Sequence, residues 1–128
     1  MPYIDRTYRA SLDQHIDPLA EAIRESARAR AKLKVDGADE LTDPALRAAT
    51  TLELAGFLNY ACSRLAALIA PEPLSYSTLA LLSGVFRNVA DEFYRRVAVP
   101  YENEQIKTSG DIYPEGLTGT SEWDPGSS

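Results

Sequence analysis

The chain has 128 residues, 45% of them hydrophobic, enough for one domain with a core of its own. A single cysteine, Cys62, excludes an internal disulfide, and the longest unbroken apolar run, residues 65–70, is far short of the roughly 20 residues of a membrane span. The net charge of −6 is uneven: residues 1–99 hold 12 Lys/Arg against 13 Asp/Glu, whereas residues 100–128 hold one lysine against six acids. A near-neutral body with an acidic tail excludes nucleic acid polymers as partners.

In chain order the signals are helical. Asp17-Pro18 reads as an N-cap with proline in the first turn, followed by Leu19, Ile23, Ala27 and Ala31 at helical spacing. Residues 35–39 form a turn, and Asp43-Pro44 repeats the cap ahead of a long helix toward Ala70. Pro71-Glu72-Pro73 ends it, Ser75 caps a third helix, and Pro100 is expected to stop that helix after Val99. Leu79, Leu82, Phe86, Val89, Phe93 and Val97 form its apolar seam. No segment alternates with period two for long enough to suggest a strand.

The expected fold is therefore all-α: an antiparallel hairpin of helices 44–70 and 76–99 plus an N-terminal helix, within a helical domain of residues 1–113. Gly56 and Gly84 are expected at close approaches of the hairpin backbones. The second helix is apolar on two sides, with Leu54, Leu58, Cys62, Leu65 and Ile69 on one and Phe57, Ala61 and Leu68 on another. One hairpin cannot cover both, so a homo-oligomer is expected to complete the bundle. Residues 114–128 lack core-forming residues and read as a flexible acidic tail in which Trp123 alone could dock.

The densest concentration of arginine and tyrosine lies between residues 91 and 113. Tyr94, Arg95, Arg96, Tyr101, Asp111 and Tyr113 are the candidate ligand-binding residues, because arginine grips a phosphate or carboxylate with a planar fork while tyrosine stacks on a base. The alternative is structural, with Glu53 as salt-bridge partner of one arginine. Asn59, Tyr60 and Arg64 form a secondary cluster, with Asn59 suited to fixing an oligomer's register.

His15 and Cys62, the only residues of their kinds, lie far apart and lack the partners of a metal site or a nucleophilic pair. No glycine-rich phosphate loop, Gly-x-Ser-x-Gly or dinucleotide fingerprint is present. The expectation is a non-enzyme with no cofactor and no metal. No basic amphipathic face suggests membrane binding, and no signal peptide is visible at the start of the sequence, so a cytoplasmic location is expected.

Three motifs carry a resemblance: Met1-Pro2-Tyr3-Ile4; Gly56-Phe57-Leu58-Asn59-Tyr60; and Glu92-Phe93-Tyr94-Arg95-Arg96 followed by Pro100-Tyr101-Glu102 and Gly110-Asp111-Ile112-Tyr113. Over residues 1 to about 113 the chain resembles an uncharacterised family of small phage and bacterial proteins. It departs from that pattern at Ser109, where asparagine is usual, and at Asn103, where an acid is common. The resemblance implies a phage setting, hence the host cell's cytoplasm, and no established activity. Two functions fit: a homo-oligomeric binder that sequesters a small anionic, nucleotide-like host signal, or an assembly or adaptor protein that engages another protein.

Overall fold

A computed structural model describes residues 4–35 and 44–118. Helices α1 (Arg6–Lys34), α2 (Pro44–Ile69) and α3 (Tyr76–Phe93) are followed by a π-helical turn (Tyr94–Ala98), then α4 (Val99–Ser109) and the short α5 (Glu115–Thr118). Among the described residues there is no strand, so the fold is all-α. The chain divides into two compact units, Met1–Gly84 and Val85–Ser128.

In the first unit the packed pair is α1 with α2. Arg30 and Lys34, near the C-terminus of α1, meet Glu53, near the N-terminus of α2, so the two run antiparallel. In the first unit α1 and α2 thus form an antiparallel hairpin. Small residues allow the approach: Ala27 and Ala31 of α1 are fully buried, as is Leu46 of α2. The expected close approaches at glycine are absent, since a Cβ added at Gly56 or Gly84 would meet nothing within 4 Å.

Helix α1 starts eleven residues before Asp17-Pro18. Asp5 is its N-cap and accepts from the Thr7 backbone N–H at 2.9 Å and from the Thr7 hydroxyl at 2.7 Å. Pro18 therefore lies inside the helix. A proline there removes one ladder bond and crowds the carbonyl four residues back, that of Gln14. Gln14 is exposed, so that carbonyl can turn to water and the helix continues.

The third helix also overruns its expected end. Pro100 sits in the first turn of α4, immediately after the π-helical turn, and the chain stays helical to Ser109. Val99 N–H reaches back to the Tyr94 carbonyl, a five-residue step. That wider turn takes up the steric demand of the Pro100 ring, which an unbroken α-helix would press against the Arg96 carbonyl. Ser75 caps α3 as expected, accepting from Thr78 N–H at 3.1 Å. The cap expected at Asp43, the Met1–Tyr3 motif residues and Trp123 with most of the tail lie outside the described residues.

Among the described residues, helix α2 is long and apolar enough, by length and composition, to cross a membrane. It also carries Arg47, Glu53 and Arg64, and Glu53 is committed to α1.

Candidate functional site

The antiparallel α1–α2 pair leaves a groove of ≈ 330 Å³ whose walls include Leu19 and Ile23 from α1 and Phe57, Leu65 and Leu68 from α2. The spacing explains it. On α2, residues 53, 57, 60 and 61, 64 and 65, and 68 lie three or four positions apart, group to group, and so share one side of the helix. At the crossing the facing residues of α1 are alanines; toward its N-terminus the two helices leave space between their side chains. Tyr60 and Arg64, one turn apart, stand among the groove-lining residues. Among the described residues no ion pair engages Arg64. A forked cation and a phenol beside an apolar trough can receive a ligand with an anionic end and an apolar or aromatic body.

A second hollow of ≈ 360 Å³ adjoins it, shared through Phe57 and Tyr60 and bounded by Arg30, Glu53 and Gly56. Glu53 closes that end. Its side chain is only 15% exposed, pairs with Arg30 at 3.2 Å and accepts a hydrogen bond from Lys34. The Lys34 hydrogen bond first, then the two positive charges, hold the Glu53 carboxyl below the usual carboxylate range.

Asn59, the third member of the secondary cluster, lies apart from the groove wall and accepts from the Ser63 hydroxyl at 3.2 Å. The primary set divides as well. In the second unit Tyr94, Asp111 and Tyr113 line one hollow of ≈ 440 Å³ together with Glu102 and Ile106. Gly110 shapes it: as the residue after α4 it has φ +84°, and its N–H bonds the Ile106 carbonyl at 2.8 Å. Asp111 then accepts from Tyr113 N–H at 2.9 Å. Arg95, Arg96 and Tyr101 do not line this hollow. Arg95 pairs instead with Glu92, one turn earlier on its own helix, while Glu53 serves α1.

The charge of the Tyr94–Tyr113 hollow is consequently negative. The Tyr94 hydroxyl donates to the Glu102 carboxylate at 3.2 Å, and that bond, reinforced by the Glu102 charge, holds the phenol above its ordinary range. Anion recognition needs positive charge facing the ligand, which the α1–α2 groove offers through Arg64 and this hollow does not. The groove residues Leu19, Ile23, Phe57 and Leu68 had a visible signal in their helical spacing. What hid the groove was the choice of partner helix, because nothing local to α2 says which neighbour its second apolar side meets.

A family model described as a domain of unknown function (DUF6899) matches residues 1–112, and the chain belongs to that family. No curated protein and no solved structure matches the chain.

Proposed function

We propose that this DUF6899 member is a non-enzymatic, self-associating helical binding protein that takes a small anionic ligand in the α1–α2 groove. The observation that carries self-association is the apolar surface left open on the helices. No residue of α3 is buried, and Leu58, Leu65 and Ile69 on α2 are more than half exposed. Surface of that kind is covered by association. The ligand half of the reading rests on Tyr60 and Arg64 beside the groove. Sequestration of a nucleotide-like signal is the version that a phage setting favours, since a sponge needs affinity and no reacting groups.

Light scattering at micromolar concentration tests the first half, with an expected mass at least twice 14.0 kDa. A thermal-shift panel of linear and cyclic nucleotides tests the second. A ligand present at ~100 times its dissociation constant adds ~2.7 kcal/mol of stability, several degrees in Tm. A panel with no shift, combined with an oligomeric mass, would favour the second reading, an assembly or adaptor protein, which the same open apolar surface also supports.

A further inference from the structure

The Tyr94–Tyr113 hollow, unsuited to an anion, has the features of a site for the opposite charge. Every residue that lines it falls between positions 94 and 113, inside the second compact unit, so one continuous stretch of chain sets its shape. Glu102, in the first turn of α4, supplies one carboxylate, and Asp111, beyond the last residue of α4, supplies another. The helix between them, from Glu102 to Ser109, rises roughly 10 Å at ~1.5 Å per residue. Ile106, Ile112 and the rings of Tyr94 and Tyr113 complete the lining.

Both carboxylates retain capacity for a ligand. Glu102 accepts from the Tyr94 hydroxyl and Asp111 from the Tyr113 N–H. An ionised carboxylate has about four acceptor sites. Among the described residues neither acid forms an ion pair: Lys107 is outside the lining and pairs with Glu104 at 3.0 Å, and Arg95 pairs with Glu92.

We propose that this hollow binds a small aliphatic polyamine, with one ammonium at Glu102, another at Asp111 and the methylene chain between them lying along Ile106 and the tyrosine rings. Each part of such a ligand meets its counterpart. Ammonium groups donate charge-assisted hydrogen bonds to carboxylates, and the faces of aromatic rings attract cations. Methylene stems lie along apolar side chains while their charged heads stay at polar ones. A divalent metal ion needs several oxygens gathered round one point, and no group of three His, Cys, Asp or Glu among the described residues could hold one. A lysine or arginine side chain of another protein brings one charge on a tether and leaves the second carboxylate unmatched. The volume of ≈ 440 Å³ falls in the range of small-molecule sites. This site uses other residues and the opposite charge from the α1–α2 groove, so either reading can fail without the other.

Calorimetric titration of the full-length chain with spermidine, putrescine and n-butylamine at one fixed ionic strength tests it. The two polyamines should bind saturably. n-Butylamine, with a single ammonium, should bind roughly 10- to 150-fold more weakly than putrescine, the loss of one charge-assisted contact. No saturable binding of either polyamine would overturn the proposal, and equal affinity for putrescine and n-butylamine would overturn the two-ended site. Glu102→Gln and Asp111→Asn keep side-chain shape and remove charge, and each should weaken putrescine by a similar factor while far-UV circular dichroism stays that of the parent. Glu104→Gln removes the same charge from outside the hollow and should bind as the parent does. If it weakened putrescine as much as Glu102→Gln, the amines would be answering to net charge alone and the site would be refuted. Should a hollow variant lose helix, the comparison of putrescine with n-butylamine on the parent chain still decides the matter.

Discussion

Glu53 of α2 and Arg30 of α1 meet at 3.2 Å, and Lys34 of α1 donates to the same carboxylate. This pairing fixes the register of the hairpin because it joins the C-terminal end of one helix to the N-terminal part of the other. The carboxyl is held below its unfolded value, so its stabilising effect is fully present above the ordinary carboxylate pKa of ~4.3 and is lost as pH falls through the lower folded value. Glu53→Gln should lower Tm at pH 7, and the difference from the parent should shrink as pH is taken below ~4. Thermal melts at a series of pH values measure both. An unchanged Tm at pH 7 would mean that the pair contributes nothing to the hairpin.

Glycine substitutions separate open space from backbone strain. Gly110 adopts φ +84° and ψ 154°, a region closed to other residues, so Gly110→Ala should cost on the order of 1–3 kcal/mol. Gly56→Ala and Gly84→Ala lie mid-helix in open space and should each stabilise by ~0.4–1 kcal/mol. Denaturant unfolding of the three variants gives the ranking; destabilisation at Gly84 would point to a neighbour at that position in the assembled protein.

Arg95 and Arg96 should be separable from the ligand site. Arg95→Ala removes a pair with the half-buried Glu92 one turn away on the same helix, which is worth on the order of 1 kcal/mol or less. Neither Arg95→Ala nor Arg96→Ala should alter binding of the best thermal-shift ligand. Calorimetric titration in which either variant abolished binding would return the site to residues 94–113.

Arg64→Ala should do the reverse. Its side chain holds no ion pair among the described residues, so stability should stay within ~0.5 kcal/mol of the parent, as for surface changes generally. Ligand affinity should fall by the ~1.5–3 kcal/mol of a charge-assisted hydrogen bond, roughly 10- to 150-fold. Tyr60→Phe, which keeps the ring and removes the hydroxyl, distinguishes stacking from hydrogen bonding at the same position.

Tyr94 supplies a spectroscopic check on the second unit. Its phenol is bonded to Glu102 and held above the ordinary value near 10. Ultraviolet titration should find one tyrosine ionising later than the rest, and Glu102→Gln should bring it down. A parent protein whose tyrosines all titrate together would show that the Tyr94–Glu102 contact does not persist in solution.

How much of this was legible in the sequence divides along physical lines. Helical period and the Ser75 cap are local properties of neighbouring residues, and both were read correctly. So was the surplus of apolar surface on α2, which shows in composition before any packing is known. Pro18 and Pro100 misled because a proline's effect depends on the fate of the carbonyl four residues back: exposed at Gln14, and relieved by a π-helical turn at Arg96. The choice of α1 as the packed partner of α2 was settled by tertiary structure alone, since Arg30 and Lys34 meet Glu53, and Ala27, Ala31 and Leu46 are buried, only once the two helices are side by side. The candidate site moved with that choice. Tyr60 and Arg64 were visible as a pair one turn apart, but the trough beside them exists only where Leu19 and Ile23 of another helix complete its wall.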